Sequence, residues 1–143
     1  MTPISNMNVY NNGMRKSMLD KIWFLDKIDD SINALYDYGC ADGALLKMVS
    51  DMCPNMRLYG YDVSAEMIDM AKKNVLAAFL STSPKRNLQN TVLNASSVFH
   101  EIHAYSPDIQ QDYDNIFKSG ATYIAIRDMF YTPHSCHATD PIM

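Results

Sequence analysis

No stretch of this 143-residue chain approaches the ~18–20 consecutive apolar residues that cross a bilayer as a helix. The N-terminus also lacks a basic start followed by an apolar run and a cleavage site. The expectation is a protein with no membrane association, retained in the cytoplasm. Cysteine is scarce: Cys40, Cys53 and Cys136 are an odd number, build no disulfide framework and suit a reducing compartment. Glycine and proline are few, 5 and 6 residues, which excludes a collagen-like repeat; with 48% apolar residues, global disorder is excluded as well. Positive charge is in deficit, 12 basic against 16 acidic residues for a formal −4, and a phosphate backbone would be repelled over most of the surface. That argues against non-specific nucleic-acid binding. The length allows one domain with little left over.

Residues 1–13 are polar and carry no sustained apolar period, so they read as a flexible N-terminal arm. Met14, Met18, Ile22 and Leu25 then recur at helical spacing and predict an amphipathic helix over 14–28, with Trp23 and Phe24 beside the stripe as core aromatics. Ala34–Tyr38, closed by Gly39, predicts a strand ending in a tight turn. Ala44, Leu45, Met48, Val49 and Met52 keep a helical spacing until Pro54, which cannot continue it. Arg57–Tyr61 is a second strand closed by Asp62, and Ser64 caps a helix with Met67, Ile68, Ala71 and Val75 on one face. Strand, helix, strand, helix with short connections means parallel pairing in an open α/β sheet.

Val75–Leu80 fits either an extension of that helix or a third, edge strand, and the strand is the preferred reading. Thr91–Ala95 reads as a buried strand, Asp108–Lys118 as a helix following Pro107, and Ala121–Ile126 as a last strand. A tail rich in His, Pro and Ser, 132–143, is expected to be irregular, leaving a single domain over 14–131.

The turn Asp37-Tyr38-Gly39-Cys40-Ala41-Asp42-Gly43 places glycines where a backbone must turn sharply and approach a ligand. Asp62 closes the next strand, 19 positions after Gly43, where a carboxylate can accept both hydroxyl protons of a ribose. The pair points to a nucleoside-containing cofactor. A dinucleotide turn needs G-x-G-x-x-G so that a pyrophosphate can rest on bare backbone. Here the pattern is G-x-A-x-G, with Asp37 before it and Asp42 inside it. Carboxylates repel a pyrophosphate and suit a group carrying an ammonium and a sulfonium, which favours S-adenosylmethionine over NAD.

The segments LYDYGCADGALLKMV and LYGYDVSAEMIDMAKKN resemble the first two conserved blocks of class I S-adenosylmethionine-dependent methyltransferases. TVLNASSVFHEIHAY is similar to the strand-four block of that superfamily and YIAIRDM to strand five, so the likeness covers about 34–129. It implies a Rossmann-like, open, mostly parallel sheet of about five strands with helices on both faces. It further implies that Asp37, Gly39, Ala41 and Gly43, with Cys40 in the same turn, line the methionine moiety. By the same likeness Asp62 takes the ribose hydroxyls and Val63 borders the adenine; Ser96 and Ser97, with no Ser-His-acid order in the sequence, read as contacts to the cofactor or to the backbone and not as nucleophiles. Ala41 stands where glycine is common.

Three departures accompany the resemblance. Members usually hold the adenine amino group with an acidic or polar side chain after strand three, yet residues 74–100 contain no Asp or Glu. The expected readers of adenine are therefore Ser81 or Thr82. Ser81–Asn90 is also short for a parallel crossover, so a helix is expected to be missing there. Members generally continue past strand five into an antiparallel pair, whereas this chain ends about 17 residues after Ile126. The C-terminal strand pair is thus expected to be missing, with the sheet left incomplete or completed by a second copy or a partner chain.

His100 and Glu101 follow the expected fourth strand, where open α/β sheets gather ligand-contacting groups, and they are the catalytic candidates. Methyl transfer from a sulfonium is an in-line displacement that needs alignment and exclusion of water, and a base only for a protonated acceptor. His100 would take that proton, with Glu101 orienting it or binding the acceptor. No metal site is expected, because His100 and His103 lack the four-residue spacing of a metalloprotease helix and His134, Cys136 and His137 have no second Cys pair. The expected function is methyl transfer to an unassigned acceptor. The alternative is a catalytically inactive or incomplete methyltransferase-fold protein that binds a cofactor or a partner.

Overall fold

A computed structural model describes residues 20–80 and 88–128. The expected arm at 1–13, the first part of the helix expected over 14–28, Ser81, Thr82 and the tail at 132–143 lie outside the described residues. The described elements are β1 (Ala34–Tyr38), α1 (Ala44–Met52), β2 (Arg57–Tyr61), α2 (Ala65–Asn74), β3 (Ala78–Leu80), β4 (Thr91–Ser96), α3 (Phe99–Tyr105), α4 (Ile109–Phe117) and β5 (Tyr123–Arg127). They form one five-stranded sheet in the order β3-β2-β1-β4-β5, parallel throughout. This is the α/β architecture expected from the sequence. None of the described helices is long and apolar enough to cross a membrane.

β1 lies at the centre and all five of its residues are buried, as a parallel strand covered on both faces must be. Its side chains alternate between two cores. Leu35 packs with Phe24, Leu46, Val49, Leu58 and Val92 on the face of α1, and Ile68 of α2 rests on the same cluster. Tyr36 and Tyr38 pack with Leu93, Val98, Phe99, Ile102 and Ile116 on the face of α3 and α4. The change of face follows from chain direction: β1 to β3 progress toward one edge, β4 and β5 toward the other, and right-handed crossovers put their helices on opposite sides. The direction reverses between β1 and β4, where open α/β sheets bind ligands at the strands' carboxyl ends.

Local chemistry sets the helix starts. Ser64 Oγ accepts from the Met67 N–H and Asp108 accepts from the Gln111 N–H, each satisfying an orphan donor of the first turn. Gly43 precedes α1 at φ +81°, and α1 ends at Met52, before Pro54.

The structure corrects several expected bounds. The third strand covers Ala78–Leu80 alone, because Val75 leaves α2 in an extended conformation and packs in the core while Leu76 is exposed. β5 begins at Tyr123 rather than Ala121. At the N-terminal end of the described chain, Trp23–Asp26 is a 3-10 helix that buries Phe24 and leaves Trp23 43% exposed, so only one of the two aromatics is core. α3 was not expected: it has seven residues, too few for an apolar period to repeat. At the crossover into β4, the Leu88 N–H donates to the Ser119 carbonyl at 2.9 Å, and Leu88 packs with the tyrosine-rich core. The connection therefore arrives on the α3/α4 face.

The sheet is closely packed where β3 meets β2. A Cβ at Gly60 would stand 2.9 Å from two ring carbons of Phe79 and 3.1 Å from Cys40 Sγ. Gly60→Ala is expected to cost about 1–3 kcal/mol by overpacking. Urea denaturation of this variant, of Phe79→Leu and of the double variant checks the cause: a smaller ring partner should recover part of the loss, and strict additivity would exclude the clash.

Candidate cofactor site at the carboxyl ends of the central strands

The turn after β1 is bound to β2 before any ligand is considered. The Gly39 and Cys40 N–H groups both donate to the Tyr61 carbonyl, at 2.7 and 2.9 Å. Gly39 has φ +84°, and a Cβ there would lie 2.6 Å from Val98 Cγ2, so the turn needs glycine both for its conformation and for its approach to the β4–α3 connection. Ala41 also has positive φ, 49°, and its N–H donates to Asp62 Oδ2 at 2.9 Å. The other oxygen, Asp62 Oδ1, accepts from the Ser64 N–H at 2.9 Å. One carboxylate thus joins the β1 turn to the start of α2. Asn74 adds a second tie, its Nδ2 donating to the Asp42 carbonyl at 2.8 Å.

Asp37 is 3% exposed, and its Oδ1 accepts from Asn94 Nδ2 at 2.9 Å across the β1–β4 pair. Burial pushes its carboxyl up to about 7; the Asn94 hydrogen bond opposes that and the nearby Asp62 adds to it. Asn94 Oδ1 and Ser96 Oγ, on the same strand, are buried with no hydrogen-bond partner among the described residues. Burial, then Asp37 and Asp62, push the Cys40 thiol up to about 12, so it stays neutral and is no thiolate nucleophile.

Two adjoining cavities open at these strand ends. The first, about 370 Å³, is lined by Asp37, Cys40, Ala41, Asp42, Ser96, Ser97 and Lys21, among others. The second, about 570 Å³, is lined by Tyr38, Tyr61, Val63, Ile102, Tyr105 and Asp112, among others. Gly39, Asp62, Val98 and Glu101 line both.

The candidate residues divide accordingly. Asp37, Gly39, Cys40, Ala41, Asp62 and Ser96 come together around the first cavity, and Val63 lies at the second. Gly43 lines neither; its place is tight packing of α1 on α2, where a Cβ would meet Ala71 and Val75 at 3.1 Å. Ser81 lies outside the described residues. Glu101 lines both cavities, but His100 lines neither. His100 Nδ1 is 2.9 Å from Asp128 Oδ1, and Asp128 Oδ2 accepts from the Phe99 N–H at 2.6 Å. The carboxylate of Asp128 is fully buried while the imidazole is half exposed. The group that orients His100 is therefore Asp128 and not Glu101.

Sequence reasoning missed Lys21 and Asp112, and left Asp128, at the end of strand five, open between an ion pair with Arg127 and a part of the substrate pocket. Asp128 carried a signal: it ends the strand next to β4, and the pairing of Ser96 with Arg127 sets it beside the β4–α3 connection that carries His100. Lys21 and Asp112 carried none, since their place depends on how distant elements pack.

No protein-family model matches the chain, and no curated protein matches it in sequence. Solved structures do match. The plantazolicin methyltransferase BpumL, in complex with a monoazolic desmethylPZN analog and SAH, superposes with a TM-score of 0.57 at 19% identity, covering 87% of this chain and 52% of that one. The fold is that of S-adenosylmethionine-dependent methyltransferases. The methyltransferase fold is likewise shared with StiE O-MT, at a TM-score of 0.55 and 17% identity over 75% of this chain and 40% of that one. An S-adenosylmethionine-dependent methyltransferase from Mesorhizobium loti matches at a TM-score of 0.50 and 12% identity, over 68% and 46% of the two chains. The chain spans about half the length of the solved methyltransferases it matches.

Two measurements follow from the site's geometry. Because the native carboxyl of Asp37 holds its proton from its ordinary range near 3.8 up to about 7, native stability falls as pH rises through that window and is level above it. Asp37→Asn, which can still accept from Asn94, should match the wild type near pH 4 and gain on it by a few kcal/mol by pH 8 in urea titrations; a constant offset at both pH values would reject this. For His100, the Asp128 carboxylate selects the tautomer protonated at Nδ1. Nitrogen-15 NMR at pH 8 should show Nε2 unprotonated, with the preference lost in Asp128→Asn.

Proposed function

We propose that the protein binds S-adenosylmethionine in the paired cavities and transfers its methyl group to an acceptor arriving over the ends of β4 and β5. The observation that carries this reading is a continuous cleft with Asp37, Asp42 and Asp62 along it, shaped by a glycine turn tied to β2. The carboxylates of Asp42 and Asp62, with the Asp37 carboxyl that a bound cation would help to ionise, suit a ligand with an ammonium and a sulfonium and disfavour the pyrophosphate of NAD. Lys21, on the same cavity, supplies the one complementary charge for an α-carboxylate among the described residues that line it. Ser96 Oγ, which lies on the first cavity and has no partner among the described residues, is an acceptor that an ammonium group would satisfy. Asp62 takes the ribose hydroxyls, using the lone pairs that its two backbone donors leave over.

When bound, the cofactor supplies a methyl group on a good leaving group, so the chain's own residues have little covalent chemistry to do. Gly39 and Ala41 let the backbone come close, Asp37 and Asp62 hold the donor's two halves in place, and Val98 and Glu101 stand where those halves meet. For an acceptor carrying a proton, His100 Nε2 receives it while Asp128 holds the ring and balances the charge that forms. A second reading, a methyltransferase-fold module that binds cofactor or a partner chain without catalysis, draws on His100 lying outside both cavities. It predicts cofactor binding with no turnover.

Calorimetry with S-adenosylmethionine and S-adenosylhomocysteine should give stoichiometric micromolar binding of both and none of NADH. Asp62→Asn, which keeps an oxygen for one of the two backbone donors, should weaken S-adenosylhomocysteine binding by about tenfold or more. A folded protein that binds neither adenosyl ligand, or a variant with unchanged affinity, would overturn the assignment.

A further inference from the structure

The second cavity is lined mostly by apolar and aromatic side chains, with Asp62, Glu101, Ser106 and Asp112 among them. Tyr38 and Tyr61 lie together, their rings 5.1 Å apart and tilted by 39°. Val63 and Val98 stand at its junction with the first cavity, next to Asp62. Among the lining residues, Tyr38 Oη donates to Asp112 Oδ1 at 2.7 Å and Ser106 Oγ donates to Asp112 Oδ2. Burial, together with the Asp112 carboxylate, pushes the Tyr38 phenol up, which keeps it a donor. Asp112 lies on α4, Tyr38 on β1 and Ser106 on the connection before α4, so the carboxylate is held by donors from two other parts of the chain. A carboxylate has about four acceptor positions, and two are taken. No basic side chain is present among the described residues that line this cavity.

A cavity lined mainly by aromatic and aliphatic side chains, with an anchored carboxylate among them, fits a flat ring that carries a hydrogen-bond donor. Asp62 is shared by both cavities, so a ribose held there sends its two substituents in different directions, one into each. The first cavity has Lys21 beside Asp37 and Asp42, which suit a charged chain, and the second has Tyr38, Tyr61 and Tyr105, which suit a base. We propose that Asp112 reads the exocyclic amino group of the cofactor's nucleobase, which makes it the residue that selects a 6-aminopurine. This assignment rests on the cofactor reading above. It gives the amino group a carboxylate partner from α4, on the far side of β1 from β3, in a chain whose residues 74–100 contain no acidic side chain.

The test compares S-adenosylhomocysteine with its 6-deamino analogue, which has hydrogen at carbon 6 and is otherwise identical, by calorimetry. The wild type is expected to prefer the amino ligand by about 10–100-fold, the range of a hydrogen bond to a charged group. Asp112→Asn should shrink that ratio to within about threefold, and Tyr38→Phe, which keeps the carboxylate but removes one of its anchors, should give an intermediate ratio. A purely structural Asp112 would lower the melting temperature and weaken both ligands equally with the ratio unchanged, and that result would overturn the proposal. Equal affinity of the wild type for both ligands would also overturn it, while leaving the cofactor site standing. Failure of both ligands to bind the folded wild type would overturn the cofactor site itself. If Asp112→Asn fails to fold, the ratio in Tyr38→Phe decides: unchanged discrimination counts against the proposal.

Discussion

Asp62 ties together the parts on which the site depends. Its two oxygens accept from the Ala41 and Ser64 N–H groups, so the turn after β1 and the first turn of α2 are joined through one side chain at the end of β2. Ala41 needs a partner of this kind, since an alanine at φ 49° occupies a conformation that costs energy for any residue with a Cβ. The same carboxylate lines both cavities. A group that organises the backbone thereby also faces both cavities, so the cofactor proposed above would meet it already in place.

The second constraint is the burial of β1. A strand covered on both faces has its side chains committed to two cores, so the polar Asp37 can be accommodated only with a partner, and Asn94 from β4 provides it. The register that pairs Asp37 with Asn94 on one side and Gly60 on the other also aligns Tyr38 with Tyr61. Packing and site chemistry are thus consequences of one strand alignment. Asp37 is a stability cost at neutral pH, and a buried carboxyl kept at the edge of a cleft is an arrangement suited to a cationic ligand.

Around this centre the two halves of the cleft differ in character. The β1 and β2 side is set by short-range hydrogen bonds within the turn and its neighbours. The β4 and β5 side is set by contacts between residues far apart in the chain: Phe99 and His100 with Asp128, Tyr38 with Asp112. α3 carries Glu101 toward the cavities and His100 toward Asp128, so a seven-residue helix separates the two side chains that sequence order had placed together.

How much of this was legible follows from the range of the forces involved. The bounds of β1, α1, β2 and α2 could be read directly, because strand alternation, Pro54 and the Ser64 cap act over a few residues. So could the positions of Asp37, Gly39, Ala41 and Asp62, which lie on one turn and at the end of the adjacent strand. Beyond residue 74 the signals weaken. β3 has only three residues and α3 only seven, too short for a period to establish itself, and α3 was missed altogether. The sequence by itself determined the alternating strand and helix order, and hence a parallel sheet with a glycine turn and a carboxylate at neighbouring strand ends. Only the tertiary structure decided that Asp128 holds His100, that Lys21 and Asp112 reach the cleft, and that Gly43 serves helix packing instead of the site. Those contacts join residues 20 to more than 70 positions apart, and their geometry depends on how the helices pack across the sheet, which no local pattern encodes.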